Sequence, residues 1–245
     1  MTLRMPDSDV VLYDKLGAVG HLVLNRPKVI NAFNIQMRDE LYLSLSAAND
    51  DPEVRAILIS GAGDRGFCAG ADLSEFGTAP SQVVARRVRW ERDLWGLFMS
   101  IRKPLVAAVH GFVIGSGVEI TCLCDIRIAS DDAVFRMPEA ALSLVPAAGG
   151  TQTLSRNIGL GESMNMLLAN SPMNAQRALS VGLVHRLVSK KSVLDEGFAM
   201  ADVLAALDPR AIASAKQTIQ TGLDMPIDQG IGLERRETAK LISSR

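Results

Sequence analysis

Aromatic residues are scarce in this 245-residue chain, at 4%, and its charges nearly cancel, with 26 Lys plus Arg against 27 Asp plus Glu. Nucleic acids are held by a basic field, and single strands by stacking on aromatic rings as well, so no nucleic-acid partner is expected. Long uncharged runs are missing too, because no segment reaches the roughly 18 apolar residues that a membrane span needs. Met1 to Val10 carries Arg4, Asp7 and Asp9 without an apolar run after a basic start, so no secretory signal is read there. A cytoplasmic protein with no membrane partner is the expectation. Only three cysteines occur, Cys68, Cys122 and Cys124, an odd count without the spacing of a disulfide framework, which suits a reducing compartment. No His and no second Cys pair stands at zinc-ligand distance from Cys122 and Cys124, and the apolar stretch around them points to core packing rather than metal binding.

What is present is enough apolar sequence, 48%, to bury one large core. Runs of β-branched and apolar residues predict strands at Val19 to Leu24, Ala56 to Ser60, Leu105 to Val109, Ile126 to Ala129 and Leu183 to Val188. Met37, Leu41, Leu45 and Ala48 recur at helical spacing, with Asn34 placed to cap the start. Ser81 to Ile101 also has helical spacing through Val84, Val88, Leu94, Trp95 and Phe98, and its charges read as a solvated face. After about Ser189 the pattern is helical only, near 191–207, 209–223 and 227–242, with Pro209 where a first helical turn tolerates proline. The chain therefore divides into residues 1–188, an α/β core, and residues 189–245, a helical region. Such a region cannot build a core alone and packs on its own domain or on a neighbouring subunit.

Glycine loops punctuate the strands. Gly61-Ala62-Gly63-Asp64-Arg65-Gly66 satisfies G-x-G-x-x-G, but the following residues continue as loop and no acidic residue stands about twenty positions on, so a dinucleotide fingerprint is not supported. No Lys-Ser/Thr pair completes a phosphate loop. Ile114 and Val118 replace the outer glycines of G-x-S-x-G around Ser116, leaving a serine nucleophile without support. These loops do offer backbone N–H groups, and two that converge on one point would suit a carbonyl oxygen gaining negative charge. His21, His110 and His185 fall on or at the ends of strand candidates and read as packing or hydrogen-bonding residues, none with a convincing partner.

Glu119 falls in the first turn of a helix expected to begin near Ser116, and Glu139 follows twenty positions later after Pro138. Ser116-Gly117-Val118-Glu119 also fits a capping box, in which Glu119 would fold back onto the Ser116 N–H and take the donor for itself. A first-turn or surface charge is the parallel reading of Glu139. Asp72 and Asp125 read as loop-fixing residues.

A set of short motifs goes further. Asn25-Arg26-Pro27-Lys28 with Asn31-Ala32, Phe67-Cys68-Ala69-Gly70-Ala71-Asp72-Leu73, Lys103-Pro104, the Gly111 to Glu119 segment, Cys124-Asp125, Pro138-Glu139 and Pro146 to Gln152 together resemble the enoyl-CoA hydratase/isomerase family, the crotonases. The resemblance implies a crotonase-like α/β spiral of repeated strand-strand-helix units, with a C-terminal helical region used in assembly of a homotrimer or homohexamer. It implies hydration of a 2-enoyl-CoA to a 3-hydroxyacyl-CoA, with coenzyme A as part of the substrate and no other cofactor or metal. Double-bond isomerisation is the neighbouring reading, and a non-catalytic RNA-binding or scaffolding relative the more distant one. By the same resemblance the catalytic residues are Glu119 and Glu139, and the thioester oxygen lies between the backbone N–H groups of Ala71 and Ser116. Lys28, Ala32, Ala69, Gly70, Asp72 and Leu73 are the implied coenzyme A and substrate contacts. Ser116 stands where the family often has glycine, Met137 where hydratases often carry a smaller or polar residue, and Ala147 where glycine is common.

Overall fold

The computed structural model describes residues 9–75, 81, 83 and 92–243. Its elements in chain order are β1 Val11–Leu16, β2 Val19–Leu24, α1 Ile35–Asp50, β3 Ala56–Gly61, β4 Gly66–Cys68, α2 Leu94–Ser100, β5 Leu105–Val109, β6 Phe112–Ile114, α3 Ser116–Leu123, β7 Ile126–Ser130, β8 Val134–Arg136, α4 Gly150–Leu168, β9 Met173–Asn174, α5 Ala175–Ser180, β10 Arg186–Val188, α6 Val193–Ala205, α7 Pro209–Gly222 and α8 Ile227–Ser243. Of the helix expected over Ser81 to Ile101, α2 forms its last turns; Val84, Val88 and the charges up to Glu91 lie outside the described residues.

Two sheets share the strands. β1-β2-β3-β5-β7-β10 make the larger, antiparallel only between β1 and β2, and β4-β6-β8-β9 make the smaller, antiparallel only between β8 and β9. After β3, β5 and β7 the chain passes at once to β4, β6 and β8, and α3 and α4 later follow the second and third of these pairs. The repeated strand-strand-helix turn is therefore the unit of the fold. It places the β3–β4, β5–β6 and β7–β8 turns at one end of the larger sheet, where parallel α/β architectures collect ligand sites.

Alternation within the central strands explains why the sheet is covered on both faces. Ile57, Ile59, Leu105, Ala107 and Val109 point into a core with Leu41, Leu45 and Phe98, whereas Leu58, Val106, Ala108 and Ile128 meet Val193, Ala201 and Ala205 of α6. Each such Leu, Ile or Val contributes roughly 1.5–3 kcal/mol by leaving water. α6 is thus part of the core packing. α7 and α8 contact each other and contain no buried residue.

Asn34 caps α1 as its position predicts, accepting from Met37 N at 2.9 Å. The expected strand Leu183 to Val188 is shorter, because Leu183 and Val184 turn back to donate to Ala178 O and only Arg186–Val188 pairs with β7. All three histidines find partners. His21 Nε2 meets Ser60 Oγ at 2.9 Å, His110 Nε2 donates to Gly63 O at 2.7 Å, and His185 Nδ1 accepts from Arg127 N at 3.0 Å. The three thiols are buried and unpaired, and burial pushes Cys68 and Cys122 to about 12. Among the described residues no helix is long and apolar enough to cross a membrane.

Candidate active site

The site begins with two loops tied together by one buried side chain. Asn31, fully buried at a left-handed φ of 53°, accepts from Arg26 N and donates to the carbonyls of Ala62, Gly66 and Phe67. A small amide that tolerates positive φ can bond several backbone groups at once, which is what this junction needs. Arg26 adds a second tie, since its Nη1 reaches Asp72 Oδ2 at 2.9 Å and Ala32 O at 2.5 Å. Asp72 Oδ1 accepts from the Ser74 hydroxyl and N–H, and these partners, with Arg26, hold its carboxyl below the usual range. Both oxygens of Asp72 are engaged within the protein, as expected of a residue that fixes its loop.

Phe33 sets the direction of the next backbone groups. Its N–H donates to Gly70 O at 2.8 Å and its carbonyl accepts from Asp72 N at 2.9 Å, in a parallel bridge centred on Ala71. Successive N–H groups of extended chain point to opposite sides, so the Ala71 N–H faces away from Phe33. Gly70 packs against the turn into α3, since a Cβ built on it would stand 3.2 Å from Ile114 O and 3.7 Å from Gly115 Cα. Ala71 and Ser116 are each one residue beyond that contact. Gly70 is buried, Ala32, Ala69 and Asp72 are half-buried, and Lys28, Ala71 and Leu73 are exposed.

Gly115 caps α3 without a side-chain hydrogen bond, at φ 49° and ψ −113°, a conformation glycine adopts without a Cβ penalty. Ser116, 8% exposed, is the first helical residue. N–H groups at that position have no acceptor within the helix. Glu119 does not fold back to cap them. Its N–H donates to Gly115 O, and its Oε1 accepts from Ala148 N and Gly150 N, each at 3.0 Å. The capping-box reading of Ser116 and Glu119 therefore fails, because a better pair of donors reaches the carboxylate from the start of α4.

Glu139 opens a short 3-10 turn, Glu139–Leu142, immediately after β8. Its Oε2 is buried and unpartnered among the described residues, while Oε1 lies over Gly115. The Glu119 and Glu139 side chains thus converge at the turns into α3 and α4, although twenty residues separate them in the chain. Burial is the main cause that raises the pKa of each. At Glu119 the Gly150 and Ala148 N–H groups oppose that rise and the nearby charge of Glu139 adds to it. Two carboxyl groups with raised pKa at one place suit the roles of acid and base, and the unpartnered Glu139 Oε2 leaves a polar oxygen to bind a small polar molecule.

Met137 is fully buried, with its Cε packed toward Gly150, while Ala147 is exposed on the loop into α4. Sequence reasoning missed the donors to Glu119 at Ala148 and Gly150, and the junction at Asn31. The paired glycines Gly149-Gly150 and the Asn25 to Asn31 motif were the signals that marked both places. No group of three or more His, Cys, Asp or Glu among the described residues is disposed to hold a metal ion.

Comparison with known proteins gives a consistent set of likenesses. The family described as enoyl-CoA hydratase/isomerase matches residues 14–245. A short-chain-enoyl-CoA hydratase of Clostridium acetobutylicum is 33% identical, over 96% of this chain and 90% of its own. A crotonyl-CoA hydratase of Syntrophomonas wolfei is 32% identical, over 91% of this chain and 86% of its own. The crystal structure of an enoyl-CoA hydratase from Bacillus anthracis superposes with a TM-score of 0.89 at 29% identity, covering 96% of this chain and 91% of that one.

Proposed function

The chain belongs to the enoyl-CoA hydratase/isomerase family, and from that premise we propose that it adds water reversibly to the double bond of a 2-enoyl-CoA, giving the 3-hydroxyacyl-CoA. The observation that carries the proposal is the pair of carboxyl groups, buried Glu119 and half-buried Glu139 with its buried Oε2, beside the outward-facing Ala71 N–H and the first N–H of α3. Addition of water to a conjugated thioester needs a positioned water, a proton at the α-carbon and stabilisation of an enolate-like oxygen. Glu119, whose carboxylate form the Ala148 and Gly150 N–H groups favour, takes a proton from the water as the water attacks the β-carbon. Glu139 delivers the α-proton. The Ala71 and Ser116 N–H groups receive the thioester oxygen, where fixed donors act without reorganisation.

The addition of water is redox-neutral overall, so the proposed chemistry calls for no redox cofactor, and these groups supply its acid, base and oxyanion roles themselves. Lys28, Ala32, Ala69, Gly70, Asp72 and Leu73, on the two tied loops, border the coenzyme A arm, with Asp72 acting through Arg26 and Ser74. A cytoplasmic location fits three buried, unpaired thiols. Assembly as a homotrimer or homohexamer through α7 and α8 fits the apolar side chains those helices leave exposed, including Ile219, Leu223, Ile227 and Ile231.

The test is loss of enoyl-thioester absorbance with crotonyl-CoA and with longer and cyclic analogues. Hydration of at least one analogue, lost in Glu119→Gln and in Glu139→Gln, is the expected result. Double-bond migration without water addition would assign the chain to the isomerases of the family. Turnover unaffected by both substitutions would sink the acid/base reading.

A further inference from the structure

Gly150 is a glycine for which the backbone gives no reason. It is the first residue of α4 and keeps a helical conformation, unlike its neighbour Gly149, whose φ is 91°. At an ordinary helical position alanine is the more favourable residue. What Gly150 lacks is room. A Cβ built on it would stand 2.8 Å from Glu119 Oε1, 3.0 Å from Glu119 Cγ and 2.7 Å from Met137 Cε. Those separations are well inside the 3.5–4.0 Å at which carbon contacts are comfortable. Glu139 makes the matching contact on the other side of the site, its Oε1 lying 2.8 Å from where a Cβ on Gly115 would be, but there the positive φ already calls for glycine. At Gly150, where the backbone is ordinary helix, the missing side chain is explained by crowding, from the Glu119 carboxylate and from Met137 Cε.

We propose that Gly150 is a positioning residue for Glu119, leaving free the space above its Cα into which the carboxylate descends to reach the Ala148 and Gly150 N–H groups. The inference rests on the acid/base reading above and adds to it the element that sets the carboxylate's place. Any side chain at position 150 lifts Glu119 off its two donors, while the burial of Glu119 remains. Burial raises its pKa and the donors oppose the rise, so displacement raises it further. A base that works ionised then loses activity at a higher pH, and the acid limb of kcat/KM moves upward. The other titratable groups facing Glu119 are Glu139, Cys68 and Cys122; both thiols, pushed to about 12, stay silent across that range.

The decisive variant is Gly150→Ala in the full chain, measured for hydration of the best enoyl-CoA across pH. The expected result is a fall in kcat of about 10²-fold, as a displacement near 1 Å of a reacting group produces, with KM within about twofold. The acid limb should rise and the thermal midpoint should stay near that of the parent. The double variant Gly150→Ala with Met137→Leu removes the overlap with Met137 Cε and keeps the overlap with Glu119, so it retains the test if methionine crowding hinders folding. Gly161→Ala is the control: it lies in the same helix, a Cβ there meets nothing within 4 Å, and kcat and the acid limb should both stay in place. Parental kcat and acid limb in both Gly150 variants, or an equal shift of the limb in Gly161→Ala, overturns the proposal. Glu119→Gln run alongside separates the two readings: if it abolishes turnover while Gly150→Ala does not, only the positioning role fails, and if it leaves turnover intact, the acid/base reading fails and the positioning role with it.

Discussion

The sheet core and the final helix pair treat apolar sequence in opposite ways. Within β3 and β5 nearly every side chain is buried, because α1 and α2 cover one face and α6 the other. α7 and α8 bury nothing completely, and Ile219, Leu223, Ile227, Ile231 and Ile242 face outward. The most buried polar anchor of this pair is at Lys216 of α7, whose side chain is only 8% exposed and donates to Lys103 O and to the half-buried Asp125, which also accepts from Leu105 N. The contrast teaches that the core is closed within the chain, whereas the tail leaves apolar side chains uncovered, the surface on which the proposed assembly relies.

The largest effect that would sharpen this contrast lies in the core's site. Glu119→Gln or Glu139→Gln should lower kcat for hydration by about 10²–10⁴-fold, the scale of general acid/base catalysis, in steady-state assays. Next come paired truncations. Leu41→Ala, at a fully buried position of α1, should cost about 2–5 kcal/mol in urea unfolding, whereas Leu223→Ala, 71% exposed within one chain, should cost within about 0.5 kcal/mol at protein concentrations low enough to dissociate the proposed assembly. Equal costs under those conditions would break the comparison, and a larger cost for Leu223→Ala at higher protein concentration would mark a surface that a second copy covers. Sedimentation of Leu223→Ser and Ile231→Ser tests the same point directly, with a smaller assembly expected.

Lys216→Met should cost about 1–3 kcal/mol, because the half-buried Asp125 then keeps only its bond from Leu105 N. Thermal unfolding checks it, and no loss would show that the tail does not lean on this anchor. The smallest effect concerns stability and pH. Burial raises Glu119 above its unfolded-state pKa, so the folded protein holds that proton more tightly, and the group's favourable contribution fades as pH rises through the folded value. Glu119→Gln, which keeps an acceptor for Ala148 and Gly150, should therefore melt slightly higher than the parent at pH 8. The difference should vanish near pH 4, where the acid is protonated in both states. A lower midpoint at pH 8 would show that the two N–H bonds to the carboxylate outweigh its burial.

Much of this was legible in order of length and periodicity. The long helices α1, α7 and α8 and the central strands follow from patterns that need no tertiary context. β4, β6 and β8, three residues each, were not legible, because so short a run has no periodicity and exists only where a neighbouring strand offers bonds. Glu119 illustrates the limit at the site. Its local sequence fits a helix cap, and the competing donors at Ala148 and Gly150 lie 29 and 31 residues away in the chain.

By itself, then, the sequence determined the class of fold, the kinship and the residue types that carry the chemistry, since motifs and apolar spacing are local properties. Only the tertiary structure decided that Glu119 turns away from its own helix start, that it rests over Gly150, and that Glu139 keeps an oxygen unpaired among the described residues. The physical reason is that hydrogen bonds and steric room depend on which distant segments meet. The spiral of short strands brings the starts of α3 and α4 together.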